Sequence, residues 1–167
     1  MLQHVYQYRT FGLAMGSKLF LRLKQTKPVL PQTEAFLNIL VAADYFRQIA
    51  AKICAAEGIN LTQHNILRIL NGIYPDGYPR YEIRQRLVER GSDITRHIDK
   101  LVVSGLVERF ASDSDKRLSI TRITPKGMEL LHRLVPKMDQ GELQIAVRLS
   151  IDECKRISKL CEKIYDE

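Results

Sequence analysis

The chain of 167 residues has no run of about 18 apolar residues, so no transmembrane helix is expected. Cysteine is scarce and odd in number. Cys54, Cys154 and Cys161 show no disulfide-like clustering, which points to a reducing, cytoplasmic compartment and away from a secreted disulfide scaffold. The histidines His4, His64, His97 and His132 are scattered, and neither C-x-x-C nor H-x-x-x-H spacing occurs, so no metal site is expected. There is no nucleophile–base motif, no glycine-rich phosphate loop and no metal dyad. Neither catalysis nor a cofactor is therefore expected. Internal repeats and low-complexity tracts are also missing. Acid is lacking from residues 1–30, which carry Arg9, Lys18, Arg22, Lys24 and Lys27.

What is present is positive charge. The net charge is +7 and the pI about 9.4, which favours an acidic partner. Nucleic acid, an anionic membrane surface and a basic but inert surface all satisfy that balance. Hydrophobic residues make up 45% of the chain, enough for a core in one domain, or one domain plus an arm.

The most informative stretch runs from Ser92 to Thr124. Ser92 or Asp93 can cap a helix, because either side chain can accept from the free N–H groups of a first turn. Ile94, Ile98, Leu101 and Val102 then recur at the helical period, while Thr95, Arg96, Asp99 and Lys100 occupy the other face. Gly105 fits the position just past the helix end, where a left-handed backbone is cheap only for glycine. Leu106 to Ala111 reads as a strand, Ser112 to Lys116 as a polar turn and Arg117 to Ile123 as a second strand. A helix with a basic outer face followed by a basic-tipped hairpin has the shape of a winged helix. The helix suits a major groove and the hairpin tip a minor groove. Upstream, Tyr81 to Arg90 reads as the first helix of a helix-turn-helix burying Ile83, Leu87 and Val88, with Gly91 in the turn.

This stretch resembles the DNA-binding core of the MarR family of bacterial transcriptional regulators. The matching residues are Asp93-Ile94-Thr95-Arg96, Asp99-Lys100-Leu101, Gly105 to Arg109, Asp115-Lys116-Arg117 and Ile123 to Gly127. The likeness extends from about Glu34 to the C-terminus. It implies a mainly α fold: a winged helix-turn-helix with a two-stranded wing, and N- and C-terminal helices forming a dimerisation region. It further implies a homodimeric repressor on a pseudo-palindromic operator in double-stranded DNA. A small aromatic effector is implied as well, between the dimer helices and the DNA-binding lobe, where Tyr45, Phe46, Tyr74, Tyr78 and Tyr81 are candidate aromatics. For each of these the reading as a core or loop residue is preferred, and no ligand residue is assigned.

The chain is accordingly divided into a basic extension (1–31), a dimerisation helix (32–60), the winged helix-turn-helix (61–124) and C-terminal dimerisation helices (125–167). The extension reads as a DNA- or dimer-contacting arm, a peripheral segment or, on charge alone, a mitochondrial presequence; a membrane-surface role is a further alternative. Thr33 to Glu57 reads as a long helix with Phe36, Ile39, Leu40, Ala43, Phe46, Ala50, Ile53 and Cys54 as its apolar stripe. Gly58 ends it, and Thr62 caps the next helix. Tyr74 to Gly77 is a turn by composition. Thr124-Pro125 starts another helix that Pro136 should kink or break and Gly141 loosen, with a helical run resuming at Leu143 to Leu149. Ser150 to Glu153 forms a capping box ahead of a last helix that buries Ile151, Cys154, Ile157, Leu160, Cys161 and Ile164.

Candidate DNA contacts are Ser92, Asp93, Thr95, Arg96, His97, Lys100, Lys116 and Arg117. Arg96 can bridge guanine O6 and N7, and Lys100 can take a base or a phosphate. Thr95 can donate to phosphate or touch a thymine methyl. His97 either flanks this face or packs against the hairpin. Lys116 is a phosphate contact. Arg117 resembles the family's minor-groove arginine, with Asp115 orienting it as a wing support. Arg80, Arg84, Arg86 and Arg90 are candidate backbone contacts. Some relatives sense oxidants through a thiol, but Cys54 sits late in its helix and Cys154 and Cys161 share an apolar stripe, so buried structural cysteine is expected. The reading from another class is a winged helix that binds an acidic protein.

Overall fold

The computed structural model describes residues 17–25, 27, 29–89, 93–112 and 115–165, with backbone alone for 17 and 142–146. The cap Ser92, the turn residue Gly91, Arg90, Pro28 and most of the basic extension lie outside the described residues. The chain divides into two compact units, one up to Gln48 and one from Ile49 onward.

The first unit contains α1 (Ser17–Leu23) and the N-terminal part of α2 (Pro31–Ala56). Arg22 reaches Asp44 at 3.7 Å, and Gln48 donates to the same carboxylate at 2.7 Å. Of the stripe expected on α2, only Cys54 is buried; Phe36, Ile39, Leu40 and Phe46 are exposed, Phe36 by 59%. Amphipathic spacing announces a face that needs cover, and the described residues of one chain do not bury it.

The second unit carries one contiguous core. The C-terminal part of α2, α3 (Leu61–Asn71), α4 (Arg80–Arg86), α5 (Ile94–Val103) and α6 (Pro125–Ala146) surround Ile66, Leu67, Leu70, Ile83, Ile98, Leu101 and Leu134, all at 0–1% exposure. The cap of α3 is Asn60, two residues earlier than Thr62. Its side chain accepts from the Gln63 N–H at 2.9 Å, and Gln63 accepts from the Asn60 N–H at 2.9 Å. That reciprocal pair satisfies two orphan donors, which a cap at Thr62 would leave open.

Helix α4 is shorter than expected. It stops at Arg86, and Leu87 adopts an extended backbone that turns its side chain into the core. Val88 is thereby thrown outward at 93% exposure, against the expectation that it is buried. Helix α5 is capped by Asp93, which accepts from the Arg96 N–H at 3.3 Å. Gly105 ends it at φ +69°.

The wing has three strands, one more than expected. β2 (Val107–Ala111) and β3 (Ser119–Ile123) form the hairpin, and β1 (Tyr78–Pro79) pairs with the far edge of β3 in the order β1-β3-β2. The antiparallel register sets Arg109 opposite Thr121 and Tyr78 against the same Thr121. Two residues carry no readable alternation, so β1 is silent in the sequence. A proline is tolerated there because β1 is an edge.

The wing and α6 are joined by a tight knot. The Thr124 hydroxyl donates to the Gly105 carbonyl at 2.7 Å and accepts from the Gly127 N–H at 3.2 Å. The Thr124 N–H donates to the Leu106 carbonyl at 3.1 Å, and Lys126 Nζ donates to the Ser104 carbonyl at 2.9 Å. A Cβ on Gly127 would run into the Leu106 carbonyl and the Ile123 side chain. From Pro125, α6 continues as one helix through Pro136 to Ala146, so the expected break with a restart at Leu143 is not met. The proline costs a helix about 3 kcal/mol. Burial of Leu130, Leu131 and Leu134 just before it offsets that cost. Two further ties follow from Glu57, to Arg133 Nε at 3.3 Å and to Lys137 Nζ at 2.5 Å.

Helix α7 (Ile151–Tyr165) starts at the expected capping box: the Ser150 N–H and hydroxyl both donate to Glu153 at 2.8 Å. None of its residues is buried, so the expected burial of Ile151, Cys154, Ile157, Leu160, Cys161 and Ile164 is not met within one chain. Leu160 is 61% exposed. Among the described residues no helix is long and apolar enough to cross a membrane.

Three outcomes are expected. Gly127→Ala should destabilise the fold by about 1–3 kcal/mol, because overpacking forces the knot apart; thermal unfolding reads this directly. Burial raises the Cys54 thiol to about 11, so it is protonated at neutral pH. Iodoacetamide should therefore label Cys54 far more slowly in the native protein than in urea. His64 is 5% exposed, and burial followed by Arg68 holds its imidazole below the ordinary value. The unfolded state then takes up a proton near pH 6.5 that the folded state resists. Stability conferred by neutral His64 is full above that pH and falls as acidity increases. Urea midpoints of wild type and His64→Gln should converge between pH 7.5 and 5.

Candidate nucleic-acid interface

The interface is built on α5. Its buried side, Ile94, Ile98 and Leu101, sits on the core, so the opposite side chains must face outward. Arg96 and Lys100 are one turn apart, exposed, and make no side-chain bond to another described residue. That leaves two cations on the outer face with their donors unspent.

The other candidates on α5 are engaged. Thr95 is half-buried and accepts from Arg80 Nη1 at 2.9 Å. Asp93 is exposed and acts as the cap. His97 Nδ1 lies 3.3 Å from Asn60 Nδ2, so this ring turns to the start of α3. Asp99, which was assigned no role, accepts from Arg109 Nη2 on β2 at 2.6 Å. The signal for that pair was present only as two charges in a matching motif; their distance needed the fold.

The wing presents Lys116 and Arg117 at its exposed tip. Asp115 Oδ1 accepts from the Arg117 backbone N–H at 2.9 Å, and the Asp115 carbonyl accepts from the Leu118 N–H at 2.9 Å. Asp115 therefore fixes the turn that carries Arg117 and, among the described residues, leaves its guanidinium without a partner, a support through the backbone where a bond to the guanidinium was expected. At the root, Arg122 pairs with Glu108 at 2.7 Å, lies 4.8 Å from the Phe110 ring centre and donates to the Pro75 carbonyl at 3.3 Å. This clamps the turn before β1 to the outer wing face.

Between α4, α5 and the wing lies a cavity of about 370 Å³, lined by Arg80, Tyr81, Thr95, Arg109, Arg117 and Thr121 among others. The arginines Arg80, Arg109 and Arg117 gather around one hollow on the wing side of α5. Arg84 lies beside it, lining an adjoining hollow with Arg80, Tyr81 and Thr95. Arg86 is used differently: it pairs with Glu82 and lies 4.2 Å over the Tyr78 ring, which makes it a strut of α4. Among the described residues no group of three or more His, Cys, Asp or Glu side chains is placed to hold a metal ion.

A second hollow, about 540 Å³, opens between α2 and α6. Ile49, Ile53 and Ala56 form an apolar wall, with Lys52 and Lys137 at its rim. Tyr74 and Tyr81 are exposed elsewhere and Tyr78 sits under Arg86, so these aromatics do not line it.

No family model matches the chain. The HTH-type transcriptional regulator PapX of Escherichia coli is 28% identical over 109 residues, 65% of this chain and 66% of PapX; the match thus spans just under two thirds of that relative. The crystal structure of a MarR transcription factor from Planctomyces limnophilus is 29% identical, covers 81% of this chain and 98% of its own, and superposes with a TM-score of 0.63. The MepR–DNA complex of Staphylococcus aureus, at 20% identity, shares the fold with a TM-score of 0.69 over 79% of this chain and 96% of MepR. With the winged helix and the Asp115-Lys116-Arg117 tip, these likenesses make the chain similar in sequence and in fold to the MarR family of transcriptional regulators.

Proposed function

We propose that the protein is a sequence-specific, DNA-binding transcriptional repressor that acts in the cytoplasm as a homodimer. The observation that carries this reading is the pairing of unspent cations: Arg96 and Lys100 on the outer face of α5, and Lys116 and Arg117 at the tip of the adjoining wing. Arg96 reads a guanine edge, Lys100 a base or phosphate, Lys116 a phosphate, and Arg117 the narrow minor groove. The likeness to a relative solved with DNA supports the same use of this face.

The dimer is supported by apolar side chains that one chain leaves in water. Ile157, Leu160 and Ile164 on α7 and Phe36, Ile39 and Leu40 on α2 are exposed. Covering such surface is worth about 25 cal/mol per Å². Two-fold pairing places the two α5 helices in successive major grooves, with half-sites about 10–10.5 bp apart. The hollow rimmed by Lys52 and Lys137 suits a small carboxylate with an aromatic body, the implied effector. Such a ligand draws Lys137 from Glu57 and shifts the dimer toward a spacing that no longer fits the operator.

The deciding experiment is selection of bound duplexes from a random pool by reduced, ligand-stripped protein at about 150 mM salt, where non-specific attraction is partly screened. A two-fold symmetric motif is expected. Arg96→Ala should then cost about 1–3 kcal/mol and relax one position of that motif, while Lys116→Ala should weaken all sequences alike and lower the salt slope by about one. Failure to enrich any motif would transfer the basic face to an acidic protein partner.

A further inference from the structure

The wing side of α5 carries an ion pair that the readout described above leaves unexplained. Asp99 is an acid on a face meant for a polyanion, half-exposed, with its carboxylate 2.6 Å from Arg109 Nη2. A carboxylate there repels phosphate, so general affinity does not account for it. Thr95, one turn earlier on the same edge, is held by Arg80 at 2.9 Å. The helix is thus braced on successive turns, to α4 through Thr95 and to the wing through Asp99.

Arg109 stands at a sensitive point of the wing. It is opposite Thr121, which is 2% exposed and is also the partner of Tyr78, so this rung, with the neighbouring one through Ile120, spans the full width of the sheet. Beyond it the hairpin projects by about four residues, roughly 13 Å at strand rise. A tilt of about 10° at the rung would swing the tip by about 2 Å, a third of the width of a minor groove. We infer that Asp99 is a positioning residue: through Arg109 it fixes the angle of the wing to the recognition helix, and so sets which flanking sequences Arg117 can read. It need touch no base to do this. The inference rests on the DNA-binding reading for its consequence, and on the free protein alone for its cause.

The test uses the full chain with Asp99→Asn, which keeps shape and removes charge, and Asp99→Glu, which keeps charge. In the DNA-free protein, amide exchange across 109–112 and 115–121 should accelerate in Asp99→Asn, while amides of Leu67 and Ile83 keep wild-type protection. On selected sites, its preference for A·T-rich over G·C-rich flanks should fall about fivefold, the most an exposed ion pair supplies. Affinity for an arbitrary duplex should stay the same or rise, because a charge that repels phosphate is gone. A purely structural role predicts the opposite for that last readout, an equal loss on every sequence. Asp99→Glu should restore both wing protection and flank preference. Unchanged wing exchange in Asp99→Asn would overturn the brace, and a loosened wing with intact flank preference would overturn its role in specificity. If wild type selects no duplex, the DNA-binding reading fails with the specificity role, while exchange in the free protein still decides the brace.

Discussion

Everything on the interface depends on the knot that ties the exit of α5 to the entry of α6. Thr124 closes it by giving its hydroxyl hydrogen to Gly105 and taking one from Gly127. The backbone of Gly127 approaches Leu106 so closely that no side chain fits between them. Each of these contacts is worth about 1 kcal/mol net. Their value lies in where they are. They define one corner from which the recognition helix, the wing strands and α6 all depart. The turn that carries Arg117 is stiffened separately by Asp115, so the two cationic elements are held at both ends of the hairpin.

The contrast between α6 and α7 shows what burial does for a helix. α6 passes through a proline without interruption because three leucines lock it to the core just before that point. α7 has good local chemistry, with a closed capping box and a sound apolar period, yet buries nothing within its own chain. Local signals decide that a helix forms; they do not decide which molecule covers it.

That distinction also explains how much could be read beforehand. Recognition helix, hairpin, the Gly105 stop and the Ser150 cap were legible because each rests on a period or on a residue with a single conformational use. The burial of Val88 was misread because an extended Leu87 ends α4 early, and no pattern marks that switch. The cap at Asn60 was missed because Thr62 offered the same chemistry two residues on. Strand β1 was hidden by its length. At the interface, Arg96, Lys100, Lys116 and Arg117 sit exposed on the two elements to which the sequence assigned them. His97 could be placed only once Asn60 was seen across from it, and the bond between Asp99 and Arg109 joins residues ten apart through a turn of the chain. Periodicity assigns a residue to a face; it carries no distances between faces.

A wing must stand clear of the body to be useful, and a protruding sheet is a template on which other strands can grow. Here the sheet has two open margins, β1 and β2. On β1, which is only two residues long, Pro79 has no N–H to offer an incoming strand. On β2, Glu108 and Arg109 put charges of both signs along the margin, where a flat apolar ribbon would invite stacking. A reaching hairpin can therefore stay in water at high local concentration without seeding fibres.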